Sequence, residues 1–264
     1  MNFINTINPI VLIFIISTLN YLVTLFGAFF AWLVKEEKEK LTCIALGCSA
    51  GIIIATTFFS LLLPAKEILN DDTFLHHAVL PLGCICGILL SRTCNRLFPH
   101  DAVIPCLNKK RAPEKQDNNK LLMFAMVLHN IPEGMAIGIS IAAAIHSHYL
   151  PVLALAIGIG IQNFFEGSAV YLEMHQCSKH TFTAIINGQF CALVEIPCAF
   201  IGFILAMIAY PILPILLSLI AGSMLFVCIE ELVPKANRNG NIDISTCSCI
   251  AGFFIVALID IMLF

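Results

Sequence analysis

The sequence predicts an all-α integral membrane protein of eight transmembrane helices. Three observations carry that prediction. Of 264 residues, 59% are hydrophobic and only 12% are charged, and mean hydropathy is +0.93, whereas a soluble domain is about half apolar and about a quarter charged. The apolar residues fall in blocks of about twenty, each long enough as a helix to cross roughly 30 Å of hydrocarbon. The Lys and Arg residues lie almost wholly in alternate gaps between those blocks, as a chain crossing a bilayer requires. A single polytopic domain over residues 1–264 follows, rather than two soluble ones.

Taken in order, the spans are 9–34, 42–64, 76–97, 121–146, 151–173, 181–208, 211–233 and 247–264. Residues 1–8 carry no Lys or Arg, and the first block is too long for the apolar region of a cleavable signal, so it is expected to remain as a helix. Asp71, Asp72, His76 and His77 stand between the second and third spans. The one sizeable loop, 98–120, holds Pro99, Pro105, Pro113 and the run Lys109-Lys110-Arg111, and is expected to be cytoplasmic and mobile. Spans four, five and six carry buried polar residues. The seventh closes on Glu230 and Glu231, and the eighth has Asp260 near its outer end.

Eight spans put alternate loops on opposite sides. Lys35, Lys38, Lys40, Arg92, Arg96, Lys109, Lys110, Arg111, Lys115, Lys120, Lys179, Lys235 and Arg238 share one side, and Lys66 stands alone on the other. Lys and Arg collect on the cytoplasmic side, so both termini are expected outside the cytoplasm. One helix more or fewer would scramble the asymmetry.

Net charge is −3, and no basic stretch is large enough for nucleic acid. The twelve cysteines fall mostly inside apolar blocks, as Cys43, Cys48, Cys84, Cys191 and Cys228 do, and read as small buried hydrophobes rather than disulfide partners. Cys84/Cys86 and Cys247/Cys249 are two apart, too close for a CxxC metal or redox motif.

Span four contains His129-Asn130-Ile131-Pro132-Glu133-Gly134, and span five contains Gln162-Asn163-Phe164-Phe165-Glu166-Gly167. Both have the form polar, Asn, x, x, Glu, Gly. Positions i and i+4 share a helix face and i+1 lies about 100° around from i, so each helix points a polar cluster in one direction. At 1.5 Å per residue, His129 and Glu133 lie roughly 12–18 Å into the span. Glu166 and Glu195 reach the same depth, where transporters place their sites. An ionised carboxylate there costs about 2.5–3.5 kcal/mol on insertion scales, yet the spans offer no Lys or Arg at that depth. A divalent cation is the missing countercharge. Pro132 cannot donate to the Leu128 carbonyl, which frees one midplane oxygen, and Gly134 and Gly167 allow close helix approach. A lone Asn or Gln in a membrane helix serves more often as interhelical glue. The duplicated cluster with two glutamates and a histidine is what sets this one apart.

At these residues the chain resembles the ZIP (Zrt/Irt-like) family of metal transporters, in its GufA-type branch. HNIPEGMAIGIS (129–140) resembles the family's fourth-helix motif, IGIGIQNFFEG (157–167) the fifth, GQFCALVE (188–195) the sixth-helix GQxSGxxE pattern, GSMLFVCIEELVP (222–234) the seventh, and AGIIIATTFFSLLLPA (50–65) the second. The resemblance implies eight helices with both termini outside and a binuclear metal centre. One ion would see His129, Glu133, Gln162 and Glu166. The other would see Asn130, Glu133, Asn163, Glu166 and Glu195, with the glutamates bridging. It implies transport of Zn²⁺ into the cytoplasm, with Fe²⁺, Mn²⁺ or Cd²⁺ admitted by the same borderline ligands, in the plasma membrane. A homodimer is left open. The chain departs from the family pattern at Phe165, where proline is usual, at Ile196, which intervenes between Glu195 and Pro197, and at Cys191, where serine is usual. Cys191 stands four residues before Glu195, on one face of an unbroken helix, and is expected to bias metal choice.

Asp71, Asp72, His76, His77 and Asp260 are candidates for an entrance, and Glu230 and Glu231 for an exit. His100, Cys106, His175, Cys177 and His180 are candidate ligands for released metal; a solvated polar surface reads the same way. Two rivals remain. An intramembrane zinc metalloenzyme needs an open water position and a separate general base, and no second histidine stands at the site. A non-transporting metal sensor would be expected to carry a sensor domain, and none is visible. The expectation is therefore a transporter and not an enzyme.

Overall fold

The first membrane helix, α1 (Pro9–Leu33), begins where two local signals coincide: Asn8 accepts a hydrogen bond from Ile10 N at 2.9 Å, and Pro9 occupies the first helical position, where no backbone donor is needed. The structure is a computed structural model, and it describes residues 7–34, 38–69, 74–97, 115–145, 149–178, 181–237 and 240–263. Seven further membrane helices follow: α2 (38–69), α3 (Phe74–Leu97), α4 (Lys115–Ala144), α5 (Leu150–Ser178), α6 in two halves, α7 (210–237) and α8 (Ile242–Leu263). Eight helices are long and apolar enough to cross a membrane, and no strand occurs among the described residues.

Four of these helices form the inside. In α2 and α4, 72% of the most apolar window is buried, against 11% in α3 and 17% in α8. The outer helices show Phe14, Phe26, Leu89, Phe254 and Met262 to their surroundings, as lipid demands of a helix whose backbone is internally satisfied. Each outer helix packs on one inner helix: α1 on α5, α8 on α2, α3 on α7, and the second half of α6 on α4.

Glycine makes all four crossings. A Cβ on Gly167 (α5) would lie 2.1 Å from the Thr24 carbonyl oxygen (α1), and one on Gly51 (α2) would lie 1.9 Å from that of Cys249 (α8). Gly87 (α3) meets Leu219 (α7) and Gly138 (α4) meets Ala199 (α6), both at 1.9 Å. Backbones touch there because no side chain intervenes. Gly134 does the same against the Glu195 carbonyl oxygen, at 2.4 Å.

Three helices depart from simple spans. The sixth is broken: α6a is Thr181–Ala192 and α6b is Glu195–Ile208, with a turn at Leu193–Val194. Pro197 has no N–H to give the Leu193 carbonyl, so the break falls just before Glu195. α2 and α7 each contain a π segment, Thr57–Leu62 and Cys228–Leu232. Pro64 and Pro234 follow these, and neither can donate four residues back, to Ser60 or Glu230. By contrast α4 runs unbroken through Pro132, and α5 through Phe165.

The helices overrun the apolar blocks. α4 starts at Lys115 rather than 121, so residues 115–120 are helix and not loop, and α5 ends at Ser178 rather than 173. Hydropathy marks the bilayer, whereas hydrogen bonding continues the helix into polar sequence. The remainder of the predicted loop, 98–114, lies outside the described residues.

Candidate metal centre

Helices α4, α5 and α6b bring the seven predicted residues into one buried cluster. His129, Asn130, Glu133, Gln162, Asn163, Glu166 and Glu195 are each at most 4% exposed. They sit inside an apolar core that includes Ile137 and Ile139 of α4, Leu155 and Ile159 of α5 and Ala199 of α6b. Six of the seven lie on unbroken turns of α4 and α5, so the i, i+4 spacing holds. The seventh opens α6b, carried there by the break.

His129, Glu133 and Glu166 each offer one ligand atom, and these atoms lie within 4.8 Å of one another. His129 Nε2 is 3.5 Å from Glu133 Oε1 and 4.0 Å from Glu166 Oε1. Gln162 donates its amide N–H to Glu133 Oε1. Asn163 Nδ2 donates to Glu195 Oε2 at 2.9 Å. Asn130 Nδ2 donates to the Met126 carbonyl at 2.9 Å, which leaves Oδ1 as the end available to an ion.

What the cluster leaves unused is more telling. Six buried atoms of these side chains have no hydrogen-bond partner: His129 Nε2, Glu133 Oε2, Gln162 Oε1, Asn163 Oδ1 and both Glu166 oxygens. Buried polar atoms are nearly always paired, and an unpaired one costs roughly 1–3 kcal/mol. All six can act as Lewis bases. One imidazole nitrogen with carboxylate and amide oxygens is a borderline donor set suited to divalent transition metals.

The structure adds Asn20, which the sequence reading passed over. Its Nδ2 lies 3.5 Å from Glu195 Oε1, and it is 4% exposed. Glu195 therefore faces an amide on each oxygen. The available signal was the polar stripe Ser17, Asn20, Thr24 on the buried face of α1.

Cys191 is corrected. The turn at Leu193–Val194 interrupts the helix between it and Glu195, so the unbroken turn on which the expectation rested is absent. Its Sγ donates to the Met123 carbonyl at 3.3 Å, and it lines a small cavity with Asn130 and Glu166.

Among the described residues, the peripheral candidates do not join the centre. Asp260, on α8, is partly buried, and its Oδ1 is buried without a hydrogen-bond partner. Glu230 is exposed in the π segment of α7, and Glu231 pairs with Lys235 at 3.8 Å. The His175 ring stacks on Tyr171, with centroids 5.4 Å apart. Asp71, Asp72, His100, Cys106 and His180 lie outside the described residues, as do the side chains of His76, His77 and Cys177.

Eight helices around a buried histidine–carboxylate–amide cluster define a multi-pass membrane protein of the transporter class. A profile of the ZIP zinc transporter family matches residues 108–260. The chain is 28% identical over 246 residues to zinc transporter GufA of Myxococcus xanthus, covering 90% of this chain and 93% of that one. It is 30% identical over 245 residues to zinc transporter ZIPB of Bordetella bronchiseptica, covering 90% and 76%. It is 26% identical over 266 residues to zinc transporter ZupT of Chlorobium phaeovibrioides, covering 96% and 97%. The chain belongs to the ZIP family, and its fold is the all-α fold of that family.

Proposed function

We propose that this protein carries Zn²⁺ into the cytoplasm through a binuclear centre at the bilayer midplane. One ion is held by His129, Glu133, Gln162 and Glu166, the other by Asn130, Glu133, Asn163, Glu166 and Glu195, with Glu133 and Glu166 shared. Fe²⁺, Mn²⁺ and Cd²⁺ meet the same ligands. The observation that carries this reading is the set of six unpartnered buried atoms on five of these side chains.

The chemistry follows from the donors. Carboxylates replace the hydration shell and supply the charge that a midplane dication needs. The amides of Gln162 and Asn163 aim Glu133 and Glu195 while their own oxygens stay free. The Lys and Arg asymmetry says which face is cytoplasmic; inward passage and the plasma membrane are part of the proposal.

The test is Zn²⁺ uptake into proteoliposomes. Glu166→Ala, reconstituted at the same density, is expected to lose transport. Flux equal to wild type in that variant removes the site assignment.

A further inference from the structure

Gln189 lies in α6a, outside the seven residues of the centre. It is 8% exposed, and its Oε1 is buried with no hydrogen-bond partner. A glutamine that only packed would turn that oxygen toward a donor, because leaving it unpaired costs stability. It lines instead a cavity of about 10 Å³ between α1, α4, α5 and α6a, room for one water-sized sphere.

The cavity has a direction. Asn130 and Glu166 of the metal centre form part of its wall. From Glu166 the α5 wall continues to Tyr171, and the α6a wall runs back from Cys191 through Gln189 to Ala184. Both lead toward the helix ends that flank Lys179, one of the thirteen Lys and Arg residues placed on the cytoplasmic side. Glu166 has two unpartnered oxygens, so one can serve the centre while the other faces this cavity.

We propose that Gln189 is a relay ligand for the divalent cation, taking it from Glu166 on its way to the cytoplasm. The proposal rests on reading Glu133 and Glu166 as the shared metal ligands. An ion bound by shared carboxylates is held by several negative charges and leaves slowly. Conduction needs sites that are numerous and individually weak. A neutral amide oxygen one step along the path is such a site: it replaces part of the coordination shell without adding charge. Cys191, on the same wall, has its S–H directed to the Met123 carbonyl, which leaves sulfur lone pairs for a passing soft ion.

The test compares Zn²⁺ uptake kinetics and equilibrium Zn²⁺ binding for wild type, Gln189→Leu, Gln189→Glu and Glu133→Ala in proteoliposomes. Gln189→Leu keeps the volume and removes the oxygen. It is expected to lower the maximal rate about tenfold, the kinetic equivalent of one lost contact, with equilibrium Zn²⁺ affinity unchanged. Gln189→Glu, which restores an oxygen ligand, is expected to transport faster than Gln189→Leu. Wild-type flux in Gln189→Leu while Glu133→Ala is silent overturns the relay alone. Unimpaired flux in Glu133→Ala overturns the reading beneath it. Loss of equilibrium Zn²⁺ binding in Gln189→Leu overturns the relay in favour of a place in the centre itself. Should Gln189→Leu fail to reach the membrane, Gln189→Met makes the same comparison.

Discussion

Asn20 of α1 meets Glu195 at the opening of α6b, with Nδ2 3.5 Å from Oε1, at the long end of hydrogen-bonding distance. Helices far apart in the chain thereby share one carboxylate, since Asn163 of α5 holds its other oxygen. Asn20→Leu keeps the side chain's approximate shape and removes the donor. We expect Zn²⁺ affinity to fall about tenfold, near 1.4 kcal/mol, with the melting temperature nearly unchanged. Equal losses of affinity and stability would show that Asn20 only packs.

Uptake is expected to fall as the outer medium is acidified. Metal ligands must be deprotonated, so protons compete with Zn²⁺ for His129, Glu133, Glu166 and Glu195. Bound metal resists protonation of its ligands, so raising Zn²⁺ should shift the loss to lower pH. Initial rates at several Zn²⁺ concentrations and pH values measure this. Flux that climbs steadily on acidification contradicts simple competition.

Both termini are expected outside, with residues 98–120 in the cytoplasm. The motive is the split of Lys and Arg, with Lys66 alone on the outer side. A cysteine engineered beside Asn2 should react with an impermeant maleimide on intact cells. Reaction only after permeabilisation reverses the orientation.

Cys191→Ser should lower the ratio of Cd²⁺ to Mn²⁺ uptake, because sulfur favours the softer ion and Cys191 lines the cavity beside Glu166. Parallel uptake of the two metals gives the ratio. An unchanged ratio would mean that the thiol merely donates to Met123 and fills space.

The buried cluster was legible because its residues violate their surroundings. A histidine and three glutamates within apolar spans cost free energy, and their i, i+4 spacing on α4 and α5 marks one face for each helix. Asn20 was less legible, since a single amide in an apolar helix is ordinary interhelical glue; only the fold brings it to Glu195. Pro197 was visible, but hydropathy says nothing of backbone hydrogen bonds, so the break before Glu195 and the π segments ahead of Pro64 and Pro234 were not placed. Cys191 was misplaced for the same reason. The helical run 115–120 was missed because its polarity, read against the bilayer, looks like loop.

The glycine crossings change how mutational data on this protein must be read. At Gly51, Gly87, Gly138 and Gly167 the neighbour's carbonyl oxygen occupies the space of a methyl group, and forcing atoms into packed structure costs about 1–3 kcal/mol. An alanine scan scored by growth on limiting metal would therefore show these positions as intolerant beside the carboxylates, although none of the four is among the proposed ligands. The two kinds of lesion separate by bookkeeping of molecules rather than ions. Glycine lesions reduce how much protein survives in the membrane, and each surviving copy works. On the proposed site, glutamate lesions are expected to leave the copies in place and silent.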